Sequence, residues 1–231
     1  MNPSLVERRP GSGRGRATAG RIRISPPSGK RCRQLLVWLH ILSSVSWMSQ
    51  ALALLVLTVD VDGGGLVAAH ILDTTVLVIS ANVSAMSGFL LSATTPWGFF
   101  IHRWVLVKFL ITIGQLVVGI AVLSPTLNDA ASADVPAAPV GLVVATAVMA
   151  SLIAFQGWLS VAKPWSRVPG RSRVKAPVPG ARVARLAPFA LIGDIALFAV
   201  TGQPIPVCSF IVLLWALVGR RATERAGTLV S

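Results

Sequence analysis

Four apolar stretches, residues 35–59, 66–93, 104–124 and 140–162, follow one another with short connections, and none holds more than one Asp, Glu, Lys or Arg. Each exceeds the ~20 residues that a helix needs to cross ~30 Å of hydrocarbon. Backbone amides and carbonyls find no water inside a bilayer, so a chain of this kind must form helices that satisfy them internally. The expected fold class is therefore all-α, a polytopic membrane helix bundle with four core transmembrane helices. The 13% of charged residues, against the roughly 25% of an ordinary soluble domain, excludes a soluble globule.

The few charges carry the topology. Asp60 and Asp62 lie in the first connection, Arg103 in the second, Asp129 and Asp134 in the third, and seven basic residues from Lys163 to Arg185 in the fourth. All these Lys and Arg fall on one side, which the positive-inside tendency makes cytoplasmic, and the lipid bilayer is the first partner implied. Trp38, Trp97, Trp104, Trp158, Trp165 and Trp215 all fall near the same boundary, where an amphipathic ring is favoured. Residues 1–34 hold nine Lys or Arg among Gly and Pro and read as a disordered basic cytoplasmic tail. Its basic region is too long, and the apolar run after it too extended, for a cleaved signal peptide, so 35–59 is expected to be retained.

Residues 186–219 are apolar but broken at Thr201-Gly202-Gln203-Pro204-Ile205-Pro206. Proline and glycine there favour a C-terminal hairpin of two short helices, fully spanning or re-entrant, over one kinked span. The hairpin returns Arg220, Arg221 and Arg225, in a tail over 220–231, to the side of the other basic residues. The expected organisation is thus a tail over 1–34, a four-helix core over 35–162, a basic loop over 163–185, a membrane hairpin over 186–219 and a second tail.

An excess of 21 basic over 8 acidic residues can also mark a nucleic-acid binder. No aromatic residue precedes Trp38 in the basic tail, which argues against that partner. Membrane orientation and attraction to anionic lipid headgroups, ~1 kcal/mol per nearby Lys or Arg, account for the charge. Seventeen Arg against 4 Lys and no Tyr suggest a GC-rich bacterial genome, and the expected location is the plasma membrane. Cys32 and Cys208 make neither a disulfide framework nor a zinc motif by their spacing.

Polar residues inside the spans are the candidates for function, because each is costly in hydrocarbon. Lys108, Thr112, Gln115 and Gly119 share a face of the third span. His70, Asp73, Ser80, Ser84 and Ser87 are expected to share a face of the second, where Ser80, Ser84 and Gly88 also form a row suited to close helix packing. His40, Ser44 and Trp47 align on the first. These faces read either as interhelical glue or as a site. Lys108 lies one turn from the inner boundary and is expected to snorkel. Asp73 and His70 could relay protons near the outer boundary, or sit in water at its rim. Asp194 in the C-terminal region could face a cavity.

Haem is the one cofactor worth testing. His40, with His102 near the same boundary, could supply axial ligands, whereas His70 lies towards the other face. There is no phosphate loop, zinc-protease motif or nucleophile elbow, so the expected role is non-catalytic, structural or in interaction. The alternatives are a haem-binding redox protein using His40 and a proton-coupled small-solute transporter using Asp73.

Ser92-Ala93-Thr94-Thr95-Pro96-Trp97-Gly98-Phe99-Phe100, followed by Arg103-Trp104-Val105-Leu106-Val107-Lys108, resembles a group of bacterial multi-span integral membrane proteins without an assigned activity. The likeness extends to Leu36–Trp47 and to Ala162-Lys163-Pro164-Trp165, and covers about residues 35–168. It implies a four-helix core with a cytoplasmic Thr-Pro-Trp-Gly corner, and no reaction.

Overall fold

The computed structural model describes residues 29–60, 64–95, 98–133, 137–165 and 181–228, with side chains at 182–222 in the last of these. Residues 1–28 of the tail expected over 1–34, Asp62, the Pro96–Trp97 corner, Asp134, most of the 163–185 loop and the Arg225 side chain lie outside these residues. The chain is an all-α bundle of six helices among the described residues: α1 Gly29–Val59, α2 Gly65–Thr94, α3 Arg103–Ser132, α4 Val140–Ala162, α5 Ala181–Thr201 and α6 Val207–Thr228. Five of them, α1 to α4 and α5 from Arg182, are long and apolar enough to cross a membrane. The sixth is apolar over Val207–Gly219 and then turns charged at Arg220 and Arg221.

Three boundaries differ from those read in the sequence. The first helix starts at Gly29 rather than 35, because the Cys32 and Leu36 side chains, one turn apart, are buried, and that burial recruits a basic segment expected to be disordered. The third continues past 124 to Ser132 and takes Asp129 into the helix, because Leu127 and Ala130 pack against Leu54, Leu66, Ala69 and Leu142. The C-terminal helices are not short. Arg182 and Arg185 extend α5, which at 1.5 Å per residue reaches about 31 Å over its 21 residues. The break between α5 and α6 is a true turn: Gly202 adopts φ +69°, a left-handed conformation natural to glycine, and its amide closes α5 on the Phe198 carbonyl at 2.7 Å.

Helix α1 lies at the centre, against α2, α4 and α5. One core cluster joins α1, α2, α5 and α6 around Leu36, Leu90, Leu191 and Ala216. A second closes the opposite end, and a third around Trp47, Ala81 and Ile153 fills the middle. The outward surface is apolar, with Val56, Ile120, Val161 and Val200 each more than 60% exposed. Such a surface suits hydrocarbon rather than water.

Two helices contain a π-turn, Asp73–Leu77 in α2 and Gly119–Leu123 in α3. Each inserts one residue and so shifts the helical phase. In α3 the turn ends two residues before Pro125, which has no amide to continue an α-helical ladder.

Candidate functional site

The polar faces of α1 and α2 meet in a ladder of serines. Ser44 and Ser84 hydroxyls lie 2.7 Å apart, Ser46 and Ser80 2.9 Å apart, and Gln50 donates to both Ser46 (2.7 Å) and Ser80 (3.0 Å). The His40 ring lies over Gly88, where an added Cβ would stand 3.2 Å from its Cε1. Ser87 gives its hydroxyl proton to the Ser84 carbonyl, so towards His40 it only accepts. The Ser84 carbonyl also only accepts, and both lie within 3.1 Å of His40 Nδ1. Nδ1 therefore carries the proton, and in the neutral ring Nε2 is the basic nitrogen.

A second polar group ties α3 to α4. Thr112 donates to Gln156 Oε1 at 2.8 Å, Gln156 donates to Gln115 Oε1 at 2.5 Å, and Gln115 donates to the Met149 carbonyl at 3.0 Å. All three side chains are buried. Lys108, one turn earlier on α3, donates to Ser160 on α4 at 2.6 Å. Ser160 lies two residues before the end of α4, so the ammonium reaches towards the basic end of the bundle, with no other acceptor among the described residues.

Two cavities flank this group. The larger, about 580 Å3, is bordered by His40, Ser84, Lys108, Thr112, Gln156 and Ser160, and reaches Arg33 and Lys163 at the basic end. The smaller, about 360 Å3, contains Asp73, Asn82, Gln115, Gly119, Ser124 and Thr146. Trp47 and Ile153 line both, and both are buried, so these two side chains form the partition. The Gln115–Gln156 hydrogen bond crosses from one cavity to the other.

Both π-turns line the smaller cavity. Asp73 opens the first and Ser124 directly follows the second, and the Ser124 hydroxyl donates to Asp73 Oδ2 at 2.6 Å. The phase shift also separates His70 from the serine ladder, so the continuous face expected over His70, Asp73, Ser80, Ser84 and Ser87 is interrupted. No hydrogen bond joins His70 to Asp73 among the described residues, and His70 Nδ1 is buried without a partner. At the rim, Asn82 donates to the Pro204 carbonyl at 2.8 Å and brings the α5–α6 turn over the cavity.

The remaining sequence candidates lie apart from the cavities. His102 precedes α3 and packs beside Trp104, ring centroids 6.1 Å apart, and does not line the cavity that His40 lines. Asp194 faces α6 and lines neither of these two cavities. Its carboxylate accepts the amides of Cys208 at 2.7 Å and Ser209 at 3.0 Å, and so caps that helix from a neighbouring one. No group of three His, Cys, Asp or Glu side chains suited to a metal ion occurs among the described residues.

Several interior residues escaped the sequence reading. Gln156 and Ser160 were detectable in principle as a polar pair four apart in an apolar span. Ser124 had no local signal, since its pairing with Asp73 depends on two π-turns 51 residues apart in sequence. Arg220, expected in a tail, is buried, and its guanidinium donates to the carbonyls of Ser92, Ala93 and Thr95, closing the C-terminal end of α2. Comparison of the chain with protein-family models, curated proteins and solved structures gives no match.

Proposed function

We propose that this chain is a plasma-membrane transport protein that passes a small solute through the two cavities, with Asp73 exchanging a proton in the smaller one. The observation that carries this reading is the pair of cavities back to back, divided by Trp47 and Ile153 and bridged by the Thr112–Gln156–Gln115 hydrogen bonds. A carboxylate beside a π-turn and a cavity is the kind of intramembrane group that proton-coupled carriers use. The positive-inside tendency puts the larger cavity at the cytoplasmic end and Asp73 towards the other face. A bundle whose polar faces serve packing alone has no need of two cavities meeting at a two-residue partition.

The test is proton flux into dye-loaded proteoliposomes under a clamped potential. Wild type should exceed protein-free vesicles, Asp73→Asn should lose most of the excess, and Trp47→Ala, which opens the partition, should increase it. Equal flux for wild type and Asp73→Asn would remove the route through the smaller cavity.

One observation favours a second reading. His40 donates from Nδ1 to a carbonyl and a hydroxyl and keeps Nε2 as its basic nitrogen, the arrangement by which outer partners orient a ligating imidazole. A haem at His40 predicts an absorption band in protein purified from haem-replete cells, lost in His40→Ala. A featureless oxidised and dithionite-reduced spectrum ends that reading.

A further inference from the structure

We infer that the larger cavity is a binding site for a single-chain amphiphile with an anionic head, the head at Lys108 and the chain along the α1–α3 wall. Three cations, Arg33, Lys108 and Lys163, border this cavity, and no acidic side chain does among the described residues. Lys108 is the deepest of the three. An ammonium has three donors, and Ser160 takes one, which leaves two N–H groups without an acceptor among the described residues. A cation held in an apolar wall without a counter-charge calls for an anion from outside the chain.

The rest of the lining defines the other half of the ligand. Alongside the polar residues that border this cavity, Ile41, Val45, Met48, Phe89 and Phe109 give it an apolar surface that suits an alkyl chain. At about 580 Å3 the cavity falls within the ~300–1,000 Å3 of ordinary small-ligand sites, which fits one chain and not a two-chain phospholipid. The mouth is held in place. Lys163 closes α4 in the left-handed conformation, φ 45°, its amide bonded to the Leu159 carbonyl, and Pro164 then directs the chain away. Only the fate of the ligand after capture rests on the transport reading above; the site stands on its own lining.

The test is photo-crosslinking of the full chain, purified in non-ionic detergent at neutral pH, with a diazirine-bearing hexadecanoate. A diazirine-bearing hexadecanol at the same micellar mole fraction is the uncharged control, and the products are mapped by mass spectrometry. The carboxylate should label the peptides that carry Ile41–Met48 and Val105–Phe109, and unlabelled hexadecanoate, not hexadecanol, should compete. Lys108→Gln should reduce this labelling about tenfold, the value of one lost charge-assisted hydrogen bond, while Lys108→Arg retains most of it. Should Lys108→Gln fail to fold, Arg33→Gln and the competition in wild type still decide the matter. Equal labelling by acid and alcohol, or labelling spread evenly over the lipid-facing surface, overturns the inference. Specific labelling with no flux in proteoliposomes would keep the site and dismiss the transport role.

Discussion

Replacing Asp194 by alanine should release α6 from α5. The Asp194 carboxylate is 8% exposed and accepts two first-turn amides of α6, from Cys208 at 2.7 Å and Ser209 at 3.0 Å. A hydrogen bond to a charged group contributes ~1.5–3 kcal/mol, and a carboxylate near a helix N-terminus adds up to ~2 kcal/mol in partly buried geometry. These contributions overlap, since the same oxygens serve both, so the expected loss is ~3–5 kcal/mol rather than their sum. Asp194→Asn keeps one acceptor and loses the charge, and should cost about half as much. Asp129→Ala, at an exposed position on α3, is the control and should fall within ~0.5 kcal/mol of wild type. Equilibrium unfolding in mixed micelles, followed by tryptophan emission, gives all three values, and Trp215 on α6 reports on the affected helix. If Asp194→Ala unfolds with Asp129→Ala, the carboxylate does not hold the helix and the capping argument is wrong.

Arg220→Gln should lower stability by ~2–4 kcal/mol, because three carbonyls at the end of α2 lose one guanidinium, and Arg220→Lys should recover less than half of it for want of a fork; hydrogen exchange should rise first in α6. Gly65→Ala should cost ~1–3 kcal/mol, since its Cβ would run into the Leu57 carbonyl oxygen, whereas Gly114→Ala meets nothing within 4 Å and should gain ~0.5–1 kcal/mol; the two unfolding midpoints must move in opposite directions.

The polar residues on α1 and α2 illustrate how far spacing reaches. Ser44, Ser80, Ser84 and Gly88 recur at helical intervals, and that regularity leads directly to the serine ladder and to the close seat of His40 on Gly88. The same arithmetic misplaces His70, because it assumes 100° per residue across Asp73–Leu77, where the helix takes a wider turn. It also misses Arg220, whose charge next to Arg221 reads as a solvated tail until α2 is seen to offer it three carbonyls.

What the sequence by itself determined is the material of the protein: long apolar helices, the sorting of basic residues to one end, and a break at Gly202–Pro206. These follow from local quantities, the cost of unpaired backbone in hydrocarbon and the conformations open to glycine and proline. Only the tertiary structure decided which polar groups meet. The partition of Trp47 and Ile153, the Ser124–Asp73 contact and the Lys108–Ser160 hydrogen bond each join residues from different helices. Their relative height and rotation are set by packing and by two π-turns, and no single stretch of sequence encodes either.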